Sequence, residues 1–282
     1  MSEVRVLRRI TDEIARASGE GLGDGEATAL WAAVAGLKPA EVWLRREADA
    51  APDVTQRFWK AVEQRKRGVP FAYVVGHVGF RTLDLKIDPR ALIPRPETEG
   101  LVELVLHEIG QRGLAADVGT GSGCIALSLA VEGSFEKVVA VEQSPDAAAV
   151  ARENVARINP ATPVEIREGN LLEPLVDKGE RYRVIVSNPP YLTAAEYDAL
   201  DQSVRDFEPR DALVSGTDGL RATRTLFAEA GALLEPAGIL ALEIDERRAD
   251  AVRALGEELG WSVAIHEDLF HCPRYALSTR ED

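Results

Sequence analysis

Asp117-Val118-Gly119-Thr120-Gly121-Ser122-Gly123 decides the fold: it closes the short apolar run Leu114–Val118 and leads straight into the helical pattern Cys124-Ile125-Ala126-Leu127. Three closely spaced glycines after a strand let the backbone turn tightly and approach a ligand, and the helix that follows offers unpaired amides at its N-terminus. A nucleotide-like cofactor suits such a turn. The next strand pattern, 138–142, ends in Glu142, nineteen residues beyond Gly123. That is close to the spacing of about 20 at which an acid hydrogen-bonds ribose hydroxyls. Gly121-Ser122-Gly123-Cys124-Ile125-Ala126 also satisfies a loose GxGxxA dinucleotide pattern, so the turn alone leaves a nicotinamide-dependent oxidoreductase open.

Outward from this turn, strand and helix patterns alternate. Strands are predicted at Leu114–Val118, 138–142, Val164–Glu168, Tyr182–Ser187 and 239–244, with helices between them and one more helix after Pro96. Such alternation indicates a parallel sheet covered by helices on both faces. The segments 261–268 and 274–280 follow one another without a helix and predict an antiparallel hairpin at the sheet edge.

Ahead of the sheet the pattern is helical. Leu7, Ile10 and Ile14 recur at helical spacing, as do Leu30, Trp31, Val34 and Leu37; further runs surround Val42-Trp43-Leu44 and Phe58-Trp59-Val62. They predict a small helical bundle over residues 1–70, with its tryptophans in the core. Phe71-Ala72-Tyr73-Val74-Val75 and 80–87, separated by Gly76-His77-Val78-Gly79, predict a β-hairpin linker over 71–93. The remaining residues, 94–282, form the expected catalytic domain.

The chain has 282 residues, enough for two domains, and carries 33 basic against 47 acidic residues, a net charge of −14. This balance argues against tracking a bare nucleic-acid backbone and favours a basic partner. Cys124 and Cys272 form no CxxC pair, and His77, His107, His266 and His271 have no metal-pair spacing, so no disulfide framework or metal site is expected. No apolar run is long enough to span a membrane, and residues 1–17 mix charges unlike a signal peptide; a cytoplasmic, monomeric protein is expected.

The sharpest chemical signal is Ser187-Asn188-Pro189-Pro190-Tyr191, at the carboxyl end of a strand, where open α/β sheets bind ligands. Two successive prolines remove two amide donors and fix an extended loop whose carbonyls act as acceptors. The Asn188 side-chain oxygen and the Pro189 carbonyl suit the two N–H groups of a planar NH₂, with Tyr191 stacked on its face. Held so, a poorly nucleophilic amide nitrogen is oriented for in-line attack on a methyl group. Non-catalytic binding modules and oxidoreductases leave this loop unexplained.

Together these motifs resemble the class I S-adenosylmethionine-dependent methyltransferases and, within them, the PrmC/HemK protein-(glutamine-N5) methyltransferases of peptide-chain release factors. Narrowing the resemblance are Leu92-Ile93-Pro94-Arg95-Pro96-Glu97-Thr98-Glu99, Pro70-Phe71-Ala72-Tyr73 with Gly76 and Phe80, and Phe207-Glu208-Pro209 with Ala212-Leu213 and Gly216-Thr217-Asp218-Gly219-Leu220. The resemblance implies a Rossmann-like, mostly parallel seven-stranded sheet with an antiparallel C-terminal edge hairpin, and an N-terminal helical domain that recognises the release factor. It implies that Gly119, Thr120, Gly121, Ser122 and Gly123 cradle the methionine end of S-adenosyl-L-methionine and that Glu142 holds its ribose. Asn170 and Leu171 would flank the adenine, and Asn188 would also lie near the cofactor. Asn188, Pro189, Pro190 and Tyr191 would hold the glutamine side chain, with S-adenosyl-L-homocysteine as product. Glu142 and Asn170 stand where aspartate is common, and Gly79 where an acid often precedes the phenylalanine. The runner-up is an amino-methyltransferase acting on adenine or guanine in DNA or RNA, which would use the same loop on a flipped base.

Overall fold

The computed structural model describes residues 8–108 and 112–280, so Leu7 of the first helical run lies outside the described residues. The chain divides into two compact units, residues 8–76 with Gln202–Phe207, and His77–Asp201 with residues 208–280.

The first unit packs α1 (Ile10–Gly19), α2 (Asp24–Ala35), α3 (Pro39–Arg45), α4 (Pro52–Lys66) and α5 (Phe71–Val75). Its core holds Leu30, Trp31, Val42, Phe58 and Val62. Trp31 and Phe58 meet edge to face with centroids 5.0 Å apart, the arrangement that aromatic quadrupoles favour. Trp59 is half-buried, and its indole N–H donates to the buried Glu13 at 2.7 Å.

Trp43 and Leu44 are not core residues: they are 63% and 74% exposed, because α3 turns Val42 inward and leaves its neighbours outside. Arg46 stacks on the Trp43 ring at 4.6 Å. Nor is Phe71–Val75 a strand; it is one helical turn or so, entered from Pro70 and ended by left-handed Gly76. Phe71, Val74 and Val75 pack on the helical core, and this contact outweighs the β-propensity of the paired valines.

The hairpin lies further on, in β1 (His77–Phe80) and β2 (Leu83–Lys86), and turns at Arg81, whose φ is +50°. Glycine punctuation suggested a turn at residues 76–79, but Gly79 sits within β1. Arg81 is fixed instead by three acids: its backbone N–H donates to Glu99, and its guanidinium reaches Glu103 and Glu132. Phe80, Leu83 and Leu85 sit in the core of the second unit.

That unit continues through α6 (Pro96–Glu108), β3 (Leu114–Val118), α7 (Cys124–Glu132), β4 (Lys137–Glu142), α8 (Pro145–Ile158), β5 (Val164–Glu168), β6 (Tyr182–Ser187) and α9 (Ala194–Asp198). After α10 (Gln202–Arg205), which groups with the first unit, come α11 (Arg221–Glu229), β7 (Leu234–Glu243), α12 (Ala249–Glu258), β8 (Trp261–Glu267) and β9 (Pro273–Arg280). The seven-stranded sheet has the order β5-β4-β3-β6-β7-β9-β8, with parallel pairing except for β9, which runs antiparallel to β7 and β8.

Two cores flank the sheet, and strand alternation assigns residues to them. Ala115, Val138, Ala140, Val184, Val186 and Ala241 face one core; Ala116, Val118, Val139, Val141, Ile185 and Leu240 face the other. Burial on both faces is why these strands read as unbroken apolar runs. The edge strand β5 is polar instead, and its Arg167 is paired with Glu165 and Glu180, the device that blunts edge-to-edge aggregation. Among the described residues, no helix is long and apolar enough to cross a membrane.

Candidate active site

The order of the sheet creates the site. From β3 the chain moves outward through β4 to β5, then returns to place β6 on the other side of β3. Connections diverge at that point, leaving a crevice at the carboxyl ends of the strands. Val118 pairs with Ser187, whose hydroxyl donates to the Val118 carbonyl at 2.6 Å. Gly119 and Asn188, the next residue on each strand, therefore emerge side by side. Register carries the same line across the sheet: Val118 pairs with Val141, Ser187 with Leu242 and Leu242 with Ala276, and one step beyond it Glu243 pairs with Tyr275.

In the glycine turn, Gly119, Gly121 and Gly123 have φ of +77°, +56° and +86°. The N–H groups of Gly119 and Thr120 donate to the Val141 carbonyl, and that of Gly121 to Glu142 at 2.9 Å. The other Glu142 oxygen accepts from Ser144 N–H, so both carboxylate oxygens are oriented and each keeps a lone pair for a hydroxyl. A Cβ at Gly119 or Gly121 would meet no atom within 4 Å, so the turn borders open space; Gly123 by contrast packs against Leu127 and Ala151. Thr120 and Ser122 are buried beside them.

Asp117 lies fully buried under this turn. One of its oxygens accepts from the Thr120 hydroxyl at 2.5 Å and the Ala126 N–H at 3.0 Å, while the other has no partner. Burial pushes its carboxyl up to about 7. Open space beside the turn, with an orphaned carboxyl buried below it and Glu142 at its rim, fits a cationic nucleoside ligand. Asn170 and Leu171 follow β5 on the same edge. Gly169 N–H donates to the Glu142 carbonyl, Asn170 is exposed, and Leu171 adopts φ +44°.

In the second motif Pro189 is buried, while Asn188, Pro190 and Tyr191 are half-buried. The Asn188 amide donates to the Thr98 hydroxyl at 3.0 Å, and Thr98 donates to Glu243 at 2.7 Å. Glu243 is only 2% exposed, and burial pushes it up to about 7. Burial likewise raises the Tyr191 phenol to about 12, so the ring stays neutral. Sequence reading marked neither Thr98 nor Glu243 as a site residue. A usable signal existed for the second: Glu243 is a lone acid in the apolar run Ile239-Leu240-Ala241-Leu242, at the strand end where ligands bind.

The two further segments of the family resemblance are joined through Glu208. Its buried carboxylate pairs with Arg95 at 2.7 Å and accepts the Ile93 N–H at 3.2 Å. Arg95→Ala would leave that carboxylate buried without its cation. We expect a loss of about 3 kcal/mol, the low end for a broken buried pair because Arg95 is partly exposed; an unchanged urea midpoint would contradict this.

Asp117 and Glu243 also set a pH dependence. Their folded values near 7 exceed the ordinary 3.8 and 4.5, so between those limits the folded chain binds protons that the unfolded chain releases. Their stability contribution is complete below about pH 4 and is lost as pH rises through 7. Denaturation midpoints are expected to fall from pH 5.5 to 7.5, and growing negative charge acts in the same direction. Cys124 is buried with its thiol raised to about 12, consistent with a packing role. No group of three or more metal-ligating side chains occurs among the described residues.

The chain matches two family models, the PrmC N-terminal domain over residues 6–76 and the methyltransferase small domain over residues 97–206. It is 43% identical to a release factor glutamine methyltransferase of Moorella thermoacetica over 77% of this chain and 76% of that protein. A protein of the same name from Deinococcus radiodurans is 38% identical over 96% of this chain and 97% of its own length. A methyltransferase crystal structure from Pyrococcus furiosus superposes with a TM-score of 0.53 at 22% identity, covering 77% of this chain and 97% of that one, and shares the fold. On a Rossmann-like sheet that brings a glycine turn beside an Asn-Pro-Pro-Tyr loop, this chain is a methyltransferase and belongs to the release factor glutamine methyltransferase family.

Proposed function

We propose that the enzyme transfers a methyl group from S-adenosyl-L-methionine to the side-chain amide nitrogen of the glutamine in the Gly-Gly-Gln motif of a peptide-chain release factor, leaving S-adenosyl-L-homocysteine. The observation that carries this reading is the side-by-side emergence of Gly119 and Asn188 from paired strands, with the Asn188 NH₂ already engaged by Thr98. Its oxygen is thereby left as an acceptor for another amide.

Bound S-adenosylmethionine would supply a methyl group on a sulfonium, open to displacement by a nucleophile. The chain's residues do the rest by binding and orientation. Gly119–Gly123 would hold the methionine end, Glu142 would accept from the ribose hydroxyls, and Asn170 and Leu171 would flank the base. The Asn188 side-chain oxygen and the Pro189 carbonyl would each accept one N–H of the glutamine amide, with Tyr191 against its face. The amide plane is then fixed and its nitrogen faces the methyl group, which replaces an entropic search with an in-line approach. As the N–C bond forms and the S–C bond breaks, positive charge grows on nitrogen, and the same two oxygens stabilise it. One N–H proton then leaves to solvent.

The net charge of −14 suits a partner with basic surface, as a protein that works on ribosomal RNA carries. To separate this reading from base methylation, labelled methyl transfer is measured to a release factor, to duplex DNA and to tRNA in parallel. Label in the release factor alone is the expected result; label in nucleic acid alone would overturn it.

A further inference from the structure

We propose that Thr98 and Glu243 are positioning residues that fix which end of the Asn188 side-chain amide faces the substrate, an inference that rests on the amide-clamp reading above. An asparagine amide is nearly symmetric in shape, so packing alone does not distinguish its oxygen from its nitrogen. A clamp that must accept two N–H bonds works only with the oxygen outward. With the NH₂ outward, donor would face donor.

Hydrogen-bond direction resolves the ambiguity. A carboxylate can only accept, so ionised Glu243 obliges the Thr98 hydroxyl to donate to it, at 2.7 Å. That hydroxyl has a single proton, so towards Asn188 it can only accept, and the Asn188 NH₂ fills this role at 3.0 Å. The Asn188 amide also favours the charged form of Glu243. Both effects select the same rotamer. Nearly complete burial of Thr98 and Glu243 keeps water from substituting for either.

The three residues come from separate elements that converge only in the fold: Thr98 from the first turn of α6, Asn188 from the end of β6, and Glu243 from the end of β7. Pro96 and Glu97 are explained by helix initiation and Glu99 also holds the Arg81 turn; Thr98, between them, serves neither. Its side chain turns into the site instead.

Facing Glu243 are Thr98 and Glu97 from α6, Asn188 and Tyr191 after β6, Arg274 and Tyr275 on β9, and Cys124 on α7. Tyr191, Tyr275 and Cys124 are raised to about 12 and Arg274 is also raised, so none of these four changes charge near neutrality. A protonated Glu243 becomes a donor and frees Thr98 to donate to Asn188, which reverses the selected rotamer. Turnover should therefore decline on the acid side of neutrality.

The test uses Thr98→Val, Thr98→Ser and Glu243→Gln in the full chain, with turnover on release factor, affinity for S-adenosylmethionine and melting temperature measured for each. Thr98→Val is expected to lower kcat about 10- to 100-fold, the scale of a misdirected reacting group, with cofactor affinity unchanged. Thr98→Ser, which restores the hydroxyl, should recover most of that loss. Glu243→Gln should lower kcat and make its acid-side decline shallower, the remainder belonging to Asp117. A Thr98→Val enzyme with wild-type kcat, a serine variant as impaired as the valine, or a glutamine variant whose acid-side decline is as steep as the wild type's would each overturn the proposal. The side-chain ¹⁵N–¹H₂ signal of Asn188, assigned by its loss in Asn188→Ala, reads the same contact without substrate. It should exchange slowly in the wild type and faster in Thr98→Val; equal exchange would refute the relay even if the wild-type chain methylated nothing, whereas failed methylation with retained protection would refute only the substrate reading.

Discussion

Asn188→Ala is expected to reduce turnover by about 10²- to 10³-fold, the cost of deleting one preorganised hydrogen-bonding group at a site of developing charge. Alanine removes the oxygen that accepts the substrate N–H and, with it, the group that Thr98 and Glu243 hold in place. Binding of S-adenosylmethionine should be largely spared, because the glycine turn and Glu142 stand on β3 and β4. Stability should fall by only about 1 kcal/mol, since one partly buried hydrogen bond is lost. Near-normal turnover in this variant would eliminate the clamp mechanism. Equal losses in turnover and cofactor affinity would show instead that Asn188 serves the cofactor more than the amide.

Gly121→Ala is expected to weaken S-adenosylmethionine binding by about 10- to 100-fold. Two costs have to be separated. One is backbone strain: at φ +56° an L-residue loses roughly 1–2 kcal/mol. The other is occupation of the space proposed for the cofactor, since the new methyl group would stand where no protein atom lies within 4 Å. Intruding one methyl group into a filled site costs about 1–3 kcal/mol, and about 1.4 kcal/mol is a factor of ten in affinity. Gly36 supplies the control within the same chain. It caps α2 with φ +67° and likewise has no neighbour within 4 Å of a built Cβ, but it lies in the helical unit. Gly36→Ala should show the strain as a small loss of melting temperature with cofactor affinity intact. Were both variants to bind alike, Gly121 would be a structural turn and not part of a cradle.

Legibility in the sequence followed the range of the forces involved. The parallel sheet could be read because β3, β4 and β6 are buried on both faces and must be apolar throughout, and the glycine turn because positive φ has few other solutions. Errors fell where long-range packing overrode local pattern. Phe71–Val75 carries β-branched residues but is drawn into helix by the bundle core, and Trp43 sits in an apolar run from which α3 buries only Val42. Arg81 turns the hairpin without glycine because distant acids hold it, and no local rule anticipates that.

The site divides the same way. The Asn-Pro-Pro-Tyr loop and the glycine turn are contiguous and declare themselves. Thr98 stands 90 residues before Asn188 and 145 before Glu243, so their shared hydrogen-bond chain exists only once α6 is placed against the ends of β6 and β7. Asp117 belongs to the glycine motif, yet its orphaned oxygen and raised protonation range follow from full burial, which spacing does not reveal. Arg95 and Glu208 likewise meet across 113 residues.

The clamp on a glutamine amide is tested most directly by supplying labelled S-adenosylmethionine and purified enzyme with two release-factor substrates, one intact and one in which the Gly-Gly-Gln glutamine is replaced by alanine. Label in the intact factor and none in the alanine copy is the expected result, and would fix donor, partner and target side chain together. Equal label in both copies, or label in neither from an enzyme shown to bind the cofactor, would contradict it.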